Sequence, residues 1–103
     1  YLQNETTVEA PASGLPTVFQ LEQNFPNPFN PMTTIRYSIG TPSNVSLQLF
    51  DITGRQVKIL VDQRQEAGQY AVPLHADDLP SGMYVYRLDA GTFTSTKKLL
   101  LIR

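Results

Sequence analysis

The sequence predicts an all-β protein: about seven short strands in two antiparallel sheets packed face to face, with essentially no helix. Three observations carry this. From Val18 onward, segments of five to nine residues alternate apolar and polar side chains and are rich in β-branched and aromatic residues. That is the period which turns one face of a strand towards a core. Clusters of Gly, Pro, Asn and Asp separate these segments at short intervals, as turns between strands require. No stretch sustains three turns of helical period, and only a turn around Ala76 to Leu79 is expected. A chain of 103 residues is enough for one domain and one core.

Residues 1–17, YLQNETTVEAPASGLPT, offer too little apolar surface to offset the entropy of ordering them. They read as a flexible linker from an upstream domain; the alternative for this segment is an extra edge strand around Thr6-Thr7-Val8. Residues 18–103 form the sandwich, and near its start stands NFPNPFNP, residues 24–31. Each proline fixes φ and removes a backbone donor. Each residue before a proline is pushed towards extended backbone. Phe25, Asn27 and Asn30 are so placed. The segment is expected to be a stiff, extended strap on a sheet edge, anchored by Phe25 and Phe29, with asparagines closing side-chain turns. Such a strap blocks edge-to-edge association. It also suits docking, because a stiff segment has little entropy to lose.

The strands follow in order. Residues 33–39 turn Ile35, Tyr37 and Ile39 to one face, and residues 45–50 turn Val45, Leu47 and Leu49 inward. Residues 55–61 carry Val57, Ile59 and Val61 on one parity; Tyr70, Val72 and Leu74 share another face. Tyr84, Tyr86 and Leu88 lie opposite Met83, Val85 and Arg87, and residues 93–102 form the last strand. Asp51-Ile52-Thr53-Gly54-Arg55 is a turn in which Gly54 supplies positive φ. Ala90-Gly91-Thr92 is a tight hairpin, and residues 78–82 form a turn-rich corner. Strand number and length point to an Ig-like sandwich, without the Cys–Trp–Cys marks of antibody domains.

Composition excludes several functions. A net charge of −1, with no basic run beyond Lys97-Lys98, argues against nucleic acid. With no cysteine there is neither a disulfide framework nor thiolate chemistry. No apolar run approaches the ~20 residues of a membrane-spanning helix, so no transmembrane segment is expected. The chain begins without Met and without a signal-peptide pattern, and it reads as a piece cut from the end of something longer. His75 stands alone, and Asp62, Asp77, Asp78 and Asp89 lack the spacing of a calcium loop. Ser81-Gly82 is not a nucleophile elbow, and no glycine-rich phosphate loop is present. Tyr84 and Tyr86 share a parity and fit a core better than a sugar platform. The expectation is a protein without enzyme activity, metal or cofactor.

Four separated stretches, NFPNPFNP with TTIRYSI, LFDITGRQVKILV, LPSGMYVYRL and TKKLLLIR, stand in this order and end with the chain. In this combination the sequence resembles the type A C-terminal sorting domain of the type IX secretion system, found on exported proteins of Bacteroidetes and their relatives. The resemblance covers about Phe19 to Arg103. It implies a seven-stranded Ig-like sandwich acting as a non-catalytic sorting signal for a cargo domain in cis. It further implies recognition by the outer-membrane translocon, cleavage by a sortase-like signal peptidase in many members, and a secreted or cell-surface product attached to lipopolysaccharide. Carried onto this chain, the recognition residues are Pro26, Asn27, Pro28 and Pro31 in the proline motif, and Asp51, Gly54 and Arg55 in the turn. Gly82 and Tyr84 follow in the Gly-x-Tyr motif, then Lys97, Lys98, Leu99 and Arg103 in the terminal motif. Each also has a purely structural reading: Gly82 as a turn residue, Tyr84 as core, Arg55 paired with Asp51, and the lysines guarding an apolar strand from aggregation. Two other functions compete. One is an accessory carbohydrate- or protein-binding module of a secreted enzyme. The other is a spacer similar to the Ig-like module of flagellar hook-capping proteins.

Overall fold

The structure, a computed structural model, describes residues 18–103; the expected linker and the alternative strand at Thr6-Thr7-Val8 lie outside them. Seven strands follow one another: β1 (Gln20–Leu21), β2 (Met32–Ile39), β3 (Ser43–Asp51), β4 (Gln56–Gln65), β5 (Gly68–His75), β6 (Gly82–Ala90) and β7 (Phe93–Leu101). They form two sheets, ordered β1-β2-β5 and β4-β3-β6-β7, with antiparallel pairing throughout. No helix occurs among the described residues, and the expected turn is present, closed by the Leu79 N–H on the Ala76 carbonyl at 3.1 Å.

The alternation sorts side chains as period two demands. Ile35, Tyr37 and Ile39 of β2 and Leu74 of β5 are buried, as are Val45, Leu47 and Leu49 of β3. Tyr84, Tyr86 and Leu88 of β6 and Leu99 and Leu101 of β7 complete the same core. Each such side chain contributes roughly 1.5–3 kcal/mol on burial. Phe19 stacks on Phe93 with ring centroids 5.5 Å apart, tying the start of one sheet to the edge strand of the other.

Two expectations need correction. Val57, Ile59 and Val61 do not share an inward face, because Ile59 is 54 % exposed. Val61 stands opposite Leu47 while Ile59 stands opposite Gln48, which leaves Leu60 without a partner; in the same way Val57 falls between Lys58 and Gln56. Each extra residue reverses the parity of the strand, so Leu60 and Val57 reach the core and Ile59 turns out.

The second correction concerns the strap. Residues 24–31 are bent, and the peptide bonds Phe25-Pro26, Asn27-Pro28 and Asn30-Pro31 are cis. The segment crosses from one sheet to the other: Phe25 bridges antiparallel to Thr34 of β2, and Phe29 bridges parallel to Leu101 of β7. Bridged partners share a face. Thr34 has the parity opposite to buried Ile35, so Phe25 points outward and is 74 % exposed. Leu101 points inward, so Phe29 is buried. One phenylalanine anchors the strap, not two.

Candidate functional site

β6 lies between β3 and β7, and its register brings the distant motifs to one end of the four-stranded sheet. Tyr84 stands opposite both Leu99 and Asp51, and Gly82 stands opposite Leu101, which is itself bridged to Phe29. The proline motif, the D-x-x-G-R turn, the Gly-x-Tyr motif and the end of the last strand therefore meet, although bonded partners such as Asn27 and Leu100 are 73 residues apart.

The strap is fastened mainly by backbone groups. Phe25 exchanges both of its hydrogen bonds with Thr34, at 3.0 and 3.1 Å. Further on, Phe29 N–H donates to the Leu100 carbonyl and Ile102 N–H donates to the Phe29 carbonyl, each at 3.0 Å. Asn27 Oδ1 accepts from Leu100 N–H at 3.0 Å, and Gln23 Nε2 donates to the Lys98 carbonyl at 2.7 Å. β7 is an edge strand, so these bonds satisfy backbone groups that would otherwise form an adhesive edge. Pro26 and Pro28 remain exposed and Pro31 is half-buried. Asn24 is buried; its Nδ2 donates to the Pro26 carbonyl and to Thr33 Oγ1, each at 3.1 Å. Asn24 N–H donates to the Tyr86 hydroxyl at 2.8 Å, and that hydroxyl donates to the Glu22 carbonyl at 2.7 Å. Burial pushes the Tyr86 phenol up to about 12.

Asp51 organises its turn. Oδ1 accepts from the Thr53 hydroxyl and from the backbone N–H groups of Thr53 and Arg55, and Oδ2 accepts from Arg55 Nε at 3.2 Å. These donors, the Thr53 hydroxyl foremost, hold the carboxyl down at about 2. Gly54 has φ of 90°, a conformation that any β-carbon strains, with open space around it. Arg55 is thus committed to Asp51, and Ile52 projects 75 % exposed at the tip. Tyr84 is core, with its hydroxyl donating to the Pro80 carbonyl at 2.6 Å; burial raises its pKa. Gly82, with φ of 151°, opens β6 just after this corner.

The two lysines part company. Lys97 shares the parity of buried Leu99 and is half-buried, whereas Lys98 is exposed on the outer face. Arg103 folds back on the corner before β6: its N–H donates to Ser81 Oγ at 3.0 Å, and Nη1 donates to the carbonyls of Ala76, Asp77 and Leu79 at 3.3, 2.7 and 2.5 Å. Asp78 pairs with Lys58 and Asp89 with Arg87. Tyr37, Tyr84 and Tyr86 are buried and Tyr70 stacks on Tyr37 at 5.3 Å, so the tyrosines among the described residues form no exposed sugar platform. Sequence reasoning missed Asn24, Gln23 and Tyr86 as fasteners. Asn24 opens the proline motif, and its position before the first Phe-Pro pair was the available signal; the long-range bonds of Gln23 and Tyr86 left none.

The described residues thus form a two-layer β-sandwich whose four motifs converge on one end through clasps, turns and an edge strap. The family described as "Secretion system C-terminal sorting domain" matches residues 23–102, and the chain belongs to that family. It is a type IX secretion sorting signal, which implies a cargo in cis and export out of the cell. No curated protein and no solved structure matches the chain.

Proposed function

We propose that the converged end of the sandwich is the surface that the type IX translocon reads, and that the domain acts as a non-catalytic tag. Pro26, Asn27, Pro28, Pro31, Asp51, Gly54, Arg55, Gly82, Tyr84, Lys97, Lys98, Leu99 and Arg103 build or present that surface. Within the set, Gly54, Gly82, Tyr84, Leu99 and Arg103 shape it, while the exposed proline loop and Lys98 are free to touch a partner. The cargo is then cleaved from its tag by a sortase-like signal peptidase and attached to surface lipopolysaccharide. The observation that supports this reading is the direct bonding of the proline strap to the last strand, Asn27 to Leu100 and Phe29 to both Leu100 and Ile102. It makes one surface of motifs that the sequence keeps far apart.

The test fuses the full chain to an exported reporter in a bacterium that has this secretion system. The reporter is expected outside the outer membrane; retention in the periplasm with the fold intact overturns the reading. Lys98→Gln is expected to lower the exported fraction while leaving the thermal melt unchanged. Lys97→Gln is expected to lower the melt first, because its stem covers the inner side of an edge strand. Unchanged export of a folded Lys98→Gln protein removes that residue from the surface.

A further inference from the structure

The outer face of the four-stranded sheet is divided in two. Away from the strap the cross-strand rows are polar on β7, β6 and β3, with Thr94, Asp89 and Ser46, then Thr96, Arg87 and Gln48, and only the exposed Ile59 of β4 ends the second row. Arg87 is satisfied there by Asp89, by Gln48 and by the ring of Phe50. The rows next to the strap are Lys98, Val85 and Phe50, then Leu100 and Met83. An open antiparallel face ordinarily carries polar side chains, but here Lys98 stands beside Val85, Phe50, Leu100 and Met83, the last 42 % exposed, with the Arg87 guanidinium over the Phe50 ring and Gln56 of β4 opposite it. Beside it lies a groove of about 390 Å³ lined by Gln23, Asn27, Pro28, Met83, Lys98 and Leu100. One wall is the strap, which hydrogen bonds hold against β7. A wall already in place has little freedom to lose on binding. Arg55, Lys58 and Arg87 each have a carboxylate partner, whereas Lys98 makes no ion pair among the described residues.

We propose that this groove docks an extended segment of a partner protein in which a bulky apolar side chain stands beside a carboxylate. The apolar group lies against Met83, Leu100 and Pro28, and the carboxylate meets Lys98. A cationic segment is rejected, because it would bring like charges together at the rim. This rests on the reading of the strap end as the recognised surface and names the chemistry recognised there.

Two measurements test it. In the first, fluorescence anisotropy compares short labelled peptides on the full chain, one alternating leucine with aspartate, the other leucine with lysine. The acidic peptide is expected to bind about fivefold more tightly at low salt, the scale of one exposed charge pair, and Lys98→Gln is expected to abolish the difference. Equal binding of the two peptides, or a preference that survives Lys98→Gln, overturns the proposal. In the second, the reporter fusion carries Met83→Gln, Lys98→Glu or the distant control Arg36→Gln, each checked by its melting curve. Loss of export is expected for the first two, and wild-type export for the control. Export of folded Met83→Gln and Lys98→Glu at the wild-type level overturns the groove and leaves the sorting reading standing. A wild-type fusion that stays in the periplasm sinks the sorting reading, and the peptide measurement still decides the groove.

Discussion

Asp51 illustrates what one side chain settles. Its carboxylate gathers the Thr53 hydroxyl, two backbone N–H groups and Arg55, which is why Asp and Arg stand four residues apart around a glycine that needs positive φ. The ion pair with Arg55 is the lesser part, since the guanidinium is largely in water. Folding lowers the pKa of Asp51 to about 2. The ionised form is therefore favoured by the fold; its contribution is complete above the unfolded value of about 3.9 and is lost as pH falls through about 2. A carbon-13 titration of the Asp51 carboxyl is expected to show its midpoint at about 2. Asp51→Asn is expected to melt below the wild type at neutral pH, with the gap closing as pH falls through the window set by those two values. A gap that persists undiminished in strong acid contradicts the role given to the carboxylate.

At the scale of the element, the strap is a crossing between layers, and its two phenylalanines have different fates. Phe29 inherits the inward face of Leu101 and Phe25 the outward face of Thr34. Urea unfolding separates them. Phe29→Ala is expected to cost about 3–5 kcal/mol, as for a fully buried aromatic. Phe25→Ala is expected to stay within about 0.5 kcal/mol, as for a surface change. Similar losses at both sites contradict the crossing. β4 teaches the same lesson from the other side of the sheet: its two bulges move Leu60 and Val57 inward and expose Ile59, an arrangement that alternation along the strand does not contain.

Across the whole molecule, buried phenols tie the two layers to one another and to the strap. The Tyr86 hydroxyl, from the four-stranded sheet, accepts from Asn24 N–H and donates to the Glu22 carbonyl where the chain leaves the three-stranded sheet. The Tyr37 hydroxyl reaches the other way, donating to Gln65 of β4 at 2.6 Å. Burial raises the pKa of Tyr37, Tyr84 and Tyr86, the last to about 12. A raised folded pKa means that stability is complete below the unfolded value of about 10 and declines as pH rises through the folded one. Urea midpoints are expected to hold up to about pH 10 and to fall steadily above it. Tyr86→Phe is expected to cost about 1–3 kcal/mol at neutral pH, because the buried Asn24 N–H and the partly buried Glu22 carbonyl lose their partner, and to make the alkaline decline shallower. A Tyr86→Phe protein as stable as the wild type removes the phenol from this role.

The sequence by itself determined the all-β class, the inward faces of β2, β3 and β6, the turn at Asp51 and the order of the four motifs. These are local: a strand's side chains alternate whatever it pairs with, and a turn's chemistry lies within a few residues. Only the tertiary structure decided that the strap joins two sheets, that one phenylalanine is buried and the other bare, and that β4 slips twice against β3. It also placed Lys97 and Lys98 in different surroundings and closed Arg103 onto the corner at Ala76. Each of these depends on which residue of a distant strand stands opposite, and that register is a property of the packed pair, written in neither strand alone.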